Sequence, residues 1–407
     1  MSQSFLSGFE MNDVRDGGLW TATSGIGAYQ STFMARTGTG SGALFINVGH
    51  TGYFVWQASN TSTATTISTR FYIYAYTTHQ EASALKLYQL WGASALQLSL
   101  RIDSSNVLSL WNEVAGTQIG SSSSALTADT WNMIQVVYSG GSTTCKAALN
   151  GTEFATGTGP STATGFKKIW LGFSEVCAVA DYGYFVDDVR VDYAITSYVG
   201  PGSVVQLVPN AAGSNAMGSR IGTDTGNDWD QVNDNPPENS GTGWSGYNLD
   251  ANNDILDLNV EAASGTGKVP AGSTINCVSI NVRHTGGSSA ASQAIKRRCT
   301  HSGTTTADVL ANQTIVGNTP PVAADWITNT VYGTVFRNPH TLFVANCPST
   351  GTAWTIAQLD AMEIGIQATD ASPDVFIDAL WALVEYIPPS GGVKDLIQMG
   401  IIPFSRA

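Results

Sequence analysis

The densest chemical signal in the sequence is a run of acids. Between Arg220 and Lys268 stand nine Asp and Glu residues and no Lys or Arg. Asp228, Asp230 and Asp234 fall in a stretch rich in Asn and Gly, and Asp250, Asn252 and Asp254 form a second group. Hard cations such as calcium take oxygen ligands from loops of this kind. The two trios are therefore the candidate metal ligands. The spacing matches no EF-hand, because the Gly and distal Glu of that loop are missing. The rival reading of the same residues is a solvated acidic loop. With calcium set aside, nothing in the sequence calls for a cofactor.

A second signal is aromatic. The chain holds 11 Trp and 14 Tyr, whose rings offer stacking faces with a polar tip. Trp20, Tyr29, Trp244 and Tyr247 stand in turn-rich stretches and are the candidate glycan-binding residues. Trp111, Trp131, Trp170 and Trp381 stand in strand-like runs and read as core.

Catalytic constellations are missing, and no catalytic residue is assigned. A glycosidase needs two carboxylates about 5 to 10 Å apart across a cleft, and the acids of the first half form no such run. Asp187 and Asp188 are adjacent, so a regular strand would send them to opposite faces. Gly243-Trp244-Ser245-Gly246 falls one residue short of a nucleophile elbow. The five His are scattered without HExxH, and phosphate-binding glycine loops are missing. The five Cys have no paired spacing, which leaves buried thiols as the simplest reading. These absences lead to the expectation that the protein is not an enzyme.

The elements that must carry these residues are short strands. Charged residues make up 12% of the chain, about half the usual share. Long helices need charged wet faces, and no stretch supplies one. Strand-length runs recur instead: Ala43–Val48, Tyr53–Gln57, Ile67–Tyr76, Ala84–Leu90, Ala95–Ile102, Val107–Trp111, Trp131–Tyr138, Thr143–Leu149, Lys168–Phe173 and Val186–Tyr193. Short strands at this spacing specify a sandwich or barrel. Asn150-Gly151 predicts a hairpin turn, since both residues tolerate positive φ.

The pattern breaks at 198–203, Tyr-Val-Gly-Pro-Gly-Ser, which reads as an interdomain linker. A second set of strands follows: Val204–Val208, Ile255–Glu261, Ile275–His284, Ala294–Cys299, Val331–Arg337, Met362–Gln367 and Val375–Tyr386. One short helix is predicted at Thr355–Met362, where Thr355 and Gln358 fit a capping box. The expected fold is all-β, with two β-sandwich (jelly-roll) domains in tandem at 1–197 and 204–387. Residues 388–407 form a Pro/Gly linker and an apolar tail. Leu396, Ile397, Met399, Ile401, Ile402 and Phe404 are apolar enough to dock, either into a neighbouring subunit or back onto their own domain.

Two resemblances follow from these segments. Trp131–Tyr138, the Leu149-Asn150-Gly151 turn, Ile169–Phe173 and Phe185–Val191, with Gly8-Phe9-Glu10 at the start, resemble a laminin-G-like or concanavalin A-like jelly roll over about residues 1–195. In that family the closing strand returns beside the first, which here is Phe5–Glu10. The second half resembles a β-sandwich domain of tailed-phage head and tail proteins. The matching pieces are Asp228–Asn233, Gly246-Tyr247, Phe336–Pro339, Trp354–Gly365 and Ala379–Tyr386. That resemblance implies a structural protein of the virion, a head decoration or fibre-like surface component, with a tail-associated component as the variant. Its implied partners are other virion proteins and further copies of this chain. A glycan-binding adhesin for host attachment is the alternative.

Charge and hydropathy narrow the partners. A net charge of −13 argues against nucleic acid, which needs clustered Lys and Arg. The one basic run, Lys296-Arg297-Arg298, is expected on a solvated strand or loop edge. No run of about 18 apolar residues offers a membrane span. The start lacks a basic n-region and an apolar h-region. Synthesis in a host cytoplasm without a signal peptide, followed by incorporation into a virion, is the expected localisation.

Overall fold

The computed structural model describes residues 3–10, 20, 22–24, 28–46, 51–57, 66–76, 83–92, 95–139, 144–161, 165–176, 182–193, 195–222, 226–233, 245–286, 292–314, 340–369 and 375–389. Within them the chain is all-β, built as two sandwiches in tandem.

The first sandwich starts with β1 (Gln3–Ser7), β2 (Ala22–Ser24), β3 (Ala28–Ser31), β4 (Ser41–Ile46), β5 (Gly52–Gln57), β6 (Thr66–Ala75), β7 (Leu85–Trp91) and β8 (Leu96–Ile102). It continues through β9 (Leu108–Asn112), β10 (Thr117–Ile119), β11 (Trp131–Ser139), β12 (Thr144–Leu149), β13 (Thr152–Thr158), β14 (Lys168–Phe173) and β15 (Tyr182–Tyr193). One sheet runs β13-β12-β11-β6-β15-β4-β3, with β1 added along β15. Its partner runs β10-β9-β8-β7-β14-β5-β2. All pairs are antiparallel, and along strands such as β6 and β11 the inward residues alternate with outward ones, as the pleat requires. Phe71, Ile73, Ile134, Val136, Leu98, Leu100, Ile169 and Leu171 fill the space between the sheets.

The predicted hairpin is present: Asn150 (φ 52°) and Gly151 (φ 83°) join β12 to β13. The closing strand β15 pairs with β1 through Phe5↔Val191 and Ser7↔Val189, as the jelly-roll resemblance implied. β15 does not alternate regularly. Tyr184 and Val186 face the core, then Asp188 adopts φ 50°, and Val189 and Val191 resume the inward positions. Asp188 is the extra residue of a bulge. This corrects the expectation that Asp187 and Asp188 diverge: both carboxylates reach the loop at Arg36-Thr37.

The second sandwich uses β16 (Ser203–Leu207), β17 (Pro209–Ala216), β18 (Ser219–Gly222), β19 (Ser245–Leu249), β20 (Ile255–Val260) and β21 (Thr274–Gly286). It ends with β22 (Ser292–His301), β23 (Thr304–Thr314), β24 (His340–Val344), the helix α1 (Ile356–Asp360), β25 (Met362–Ala368) and β26 (Val375–Ile387). One sheet runs β18-β19-β26-β21-β24 with β16 beside β26, and the other runs β17-β20-β25-β22-β23. The capping box predicted for α1 is present. Thr355 Oγ1 accepts from Gln358 N at 3.2 Å, and Gln358 Oε1 accepts from Thr355 N at 2.9 Å. The predicted strand Val331–Arg337 lies outside the described residues.

The basic run sits on β22, an interior strand. Arg297 is buried and Arg298 pairs with Asp257 at 2.9 and 3.0 Å. It is not a solvated edge, because β23 and β25 flank it on both sides.

The expected linker is not a loose tether. β26 is apolar on both faces: Leu380, Ala382 and Val384 enter the second core, while Ala379, Trp381 and Leu383 join the first. A strand buried on both sides reads as a continuous apolar run. Gly200 N donates to Gln135 Oε1 at 2.9 Å, Gly202 N to Tyr72 Oη at 3.3 Å and Val204 N to Asp188 Oδ1 at 2.5 Å. A Cβ at Gly202 would overlap the Arg70 guanidinium. Gly202 is there because the segment threads a packed seam, whereas Gly200 is there for its φ of 77°.

Candidate functional site

The seam is held by ionised side chains. Glu385 of β26 is fully buried; its Oε1 accepts from Arg70 Nη1 and its Oε2 from Arg190 Nη1, each at 2.7 Å. Arg190 Nε also donates to Asp192 Oδ2 at 2.6 Å. Arg36 pairs with Asp188 and donates to Gly202 O at 3.1 Å and Ser203 Oγ at 3.0 Å. Burial is the largest influence and works against its charge, but Asp188, Tyr72 and Asp187 together outweigh it, so the guanidinium pKa is raised. Asp187 is raised well above the carboxylate range, by burial first and then by Asp188 and Glu10. Glu10 is itself buried and accepts from Thr39 N at 2.8 Å.

Beside this seam the same outer face of the first sandwich turns aromatic. Phe71, Ile73 and Ala75 of β6 face the core, so Tyr72, Tyr74 and Tyr76 face out. The pairing registers place one residue from each of five strands in a lateral row: Tyr29, Ala43, Phe185, Tyr74 and Trp131. The rings touch in sequence. Trp131–Tyr74 centroids are 5.6 Å apart, Tyr74–Phe185 6.4 Å, Phe33–Phe185 5.9 Å and Phe33–Tyr76 5.8 Å. Tyr29, Phe33 and Tyr76 are 41, 55 and 46% exposed. A contiguous patch of exposed aromatics marks a contact surface more often than a lone one does.

The row runs into a cavity of about 300 Å³ between the sandwiches. Met34–Thr37, Tyr74 and Asp129–Trp131 form one wall, and Ser203, Pro270, Tyr386, Pro388 and Pro389 form the other. Ligand sites favour such seams, with apolar walls and a few placed polar groups. Arg36 and Asp129 are the charged residues of the lining. Asp129 has φ 52°, a conformation that costs a non-Gly residue on the order of 1 kcal/mol. Its N donates to Ala75 O at 3.5 Å. Burial, then the adjacent Asp129 carboxylate, raise the Tyr74 phenol pKa. Ring faces beside one carboxylate, hydroxyls and backbone groups can stack a sugar ring and hydrogen-bond its hydroxyls. The lining holds one carboxylate, not the pair that glycoside hydrolysis uses.

The opposite face of the first sandwich is also aromatic, but it is occupied with itself. Val55, Trp170, Gln89, Ser99, Trp111 and Gln118 form a second lateral row. Trp170 contacts Tyr53 and Trp91, each with centroids at 4.5 Å. Arg101 lies 4.0 Å above Trp111 and pairs with Glu113 at 2.9 Å, and Gln89 donates to Ser174 at 2.8 Å. The rings there stack on one another, although the Trp91 and Trp170 Nε1 groups are buried without a hydrogen-bond partner, and none of these residues lines the seam cavity.

The residues proposed from sequence are scattered. Tyr29 is in the exposed row. Trp20 is 1% exposed, packed against Phe5, Phe9 and Phe54, with Nε1 donating to Ser7 Oγ at 3.0 Å. It is core, not a stacking platform. Tyr247 is 2% exposed and lies on β19 rather than in a loop, so it too is withdrawn. Trp244 lies outside the described residues.

The described members of the two acidic trios do not converge on a metal site. Asp228 and Asp230 are in a 3-10 turn over Asp228–Gln231. There Asp228 faces Arg220 at 3.4 Å and Asp230 Oδ2 accepts from Asn227 N at 2.9 Å. Asp234 is outside the described residues. Asp254 is buried and accepts from Ala251 N at 2.9 Å and Asp250 N at 3.2 Å, while Asp250 and Asn252 point to solvent. The Asp230 and Asp254 carboxylates close turns. Among the described residues no group of three or more His, Cys, Asp or Glu is arranged to hold a metal ion. Leu396, Ile397, Met399, Ile401, Ile402 and Phe404 lie outside the described residues.

Sequence reasoning missed Trp131, Tyr74 and Asp129. Trp111, Trp131 and Trp170, read as core, are half-buried on outer faces; Trp381 is core. Strand parity held the signal: with Ile134, Val136 and Tyr138 inward, Trp131 and Met133 must point out.

No family model matches the sequence, and no curated protein does. Among solved structures the chain is similar to a Bacillus subtilis protein of unknown function with a galectin-like fold. Identity there is 10%, covering 48% of this chain and 99% of that one, at a TM-score of 0.34. It is similar to domain 4 of AbnA, an extracellular GH43 arabinanase from Geobacillus stearothermophilus solved with arabinotriose. Identity is 12%, coverage 48% and 94%, and TM-score 0.33. A cellulose-induced protein, Cip1, matches at 14% identity, with coverage of 44% and 88% and a TM-score of 0.32. Likenesses at this level decide nothing about what this chain binds.

Proposed function

We propose that this chain is a non-enzymatic saccharide-binding structural protein whose site is the aromatic row and seam cavity of the first sandwich. The observation that carries this reading is the continuity of the row, Tyr29 through Trp131, with a cavity that offers one carboxylate and several hydroxyls. The second sandwich completes the cavity wall, so binding and the tandem arrangement belong together. The test is a glycan array on the purified chain, followed by calorimetry on any hit. Trp131→Ala removes the ring at the cavity mouth and is expected to weaken binding on the order of ten-fold or more. Hits that bind Trp131→Ala and Tyr74→Ala as well as wild type would remove this site.

The setting is a second, separate proposal. The resemblance of Trp354–Gly365 and Ala379–Tyr386 to a tailed-phage domain supports a place on a virion, as a head decoration or fibre-like component with virion partners and further copies of itself. Mass spectrometry of purified particles tests it; absence of the chain from intact particles would remove it.

A further inference from the structure

The electrostatics around the cavity point to the class of saccharide, an inference that rests on the site proposed above. The charged residues of the lining are Arg36 and Asp129. The charge of Arg36 is already countered: its Nη1 is engaged by Asp188, Gly202 O and Ser203 Oγ, and its guanidinium carbon lies 3.5 Å from the Tyr72 ring centre. The Asp129 carboxylate is solvent-exposed at the wall, beside the Tyr74 ring.

Behind the wall the balance is also negative. Arg36, Arg70 and Arg190 are set among Glu10, Asp187, Asp188, Asp192 and Glu385. With Asp187 left out of the count, four carboxylates still stand against three guanidinium groups, before Asp129 is added. Among the described residues no lysine lines the cavity, and its one arginine is already paired with Asp188. An anionic group placed there would face Asp129 while the nearby cation is already paired, and repulsion of that kind discriminates between ligands as strongly as attraction does.

We infer that the seam site selects neutral, hydroxyl-bearing sugar rings and rejects carboxylated, sulfated or phosphorylated glycans. The ring stacks on Trp131 and Tyr74, and Asp129 accepts from its hydroxyls. Discrimination against a matched anionic sugar is expected to be on the order of ten-fold at low salt, given charges a few ångströms apart at a solvated wall. It shrinks as salt screens the exposed carboxylate.

The experiment titrates the full chain with neutral tetrasaccharides of glucose, galactose, xylose and N-acetylglucosamine. Tetragalacturonate, a sialylated tetrasaccharide and a sulfated one serve as the anionic set. Titrations run at about 20 and 500 mM salt, where the screening length differs several-fold. The expected result is neutral probes binding on the order of ten-fold more tightly than anionic ones at low salt, with Asp129→Asn bringing the anionic probes to within about three-fold of the neutral ones. An anionic probe that binds as well as or better than the neutral ones, through Trp131, overturns the inference and leaves the saccharide site standing. No binding by any probe of either set overturns the saccharide site itself. The salt series on the unmodified chain carries the same decision if Asp129→Asn does not fold.

Discussion

Replacing Glu385 with Ala tests the seam most directly. Its carboxylate is wholly buried and is held at 2.7 Å by Arg70 on one oxygen and by Arg190 on the other. The Arg70 side chain has no exposed surface. After the change its guanidinium keeps only carbonyl acceptors, Asp188 O at 3.2 and 3.3 Å and Gly200 O at 3.5 Å. A buried charge stripped of its partner costs about 3–5 kcal/mol. At about 2–4 °C per kcal/mol for a unit of 150–250 residues, Tm should fall by about 6–20 °C. Urea unfolding followed by calorimetry supplies both numbers. The double variant Glu385→Leu with Arg70→Met removes both charges while keeping volume, and should recover at least half of the loss, as hydrophobic replacement of buried pairs does. A Glu385→Ala protein that loses less than about 1 kcal/mol, or a double variant worse than the single one, would refute the assignment of this ion pair as the clamp of the seam.

Two further outcomes are expected. Asp187 is raised in the fold by burial, Asp188 and Glu10, so its folded pKa exceeds its unfolded one. Its contribution is then fully present below the ordinary carboxylate pKa of about 4 and is lost as pH rises through the raised value. Urea midpoints of wild type should therefore fall across that window more than those of Asp187→Asn, and parallel curves would contradict the shift. Thr355→Ala removes the cap of α1 and should cost about 1 kcal/mol, read as a lowered denaturation midpoint; an unchanged midpoint would mean that the cap bond carries no net stability.

Much of the architecture was legible because alternation in strands is a local property. Ile67–Tyr76, Trp131–Tyr138 and Val375–Tyr386 announced their strands. Asn150-Gly151 and the Thr355/Gln358 pair announced the turn and the cap that join or precede them. What misled was the step from strand to surface. Trp20 looked loop-borne, yet one sheet closes over it beside Phe9. Trp131 looked like core, yet its parity sends it outward. Asp187 and Asp188 were separated on the premise of a regular strand, and a single left-handed residue at Asp188 brought them together. The seam was the least legible feature. Which face of a sheet meets another domain depends on long-range pairing, and no window of sequence encodes that. Ala379–Tyr386 carried a hint in its unbroken apolar run, because only a strand covered on both sides needs one.

β26 belongs to two cores at once, and that has a mechanical consequence. A pull on either sandwich loads the same stretch of backbone from Ala379 to Glu385, whose neighbours β16 and β21 share the strain sideways. Severing the halves means shearing a ladder and a double layer of side chains together, rather than extending a tether. Such a joint transmits tension with little give, and the cavity wall at Ser203 and Tyr386 belongs to it.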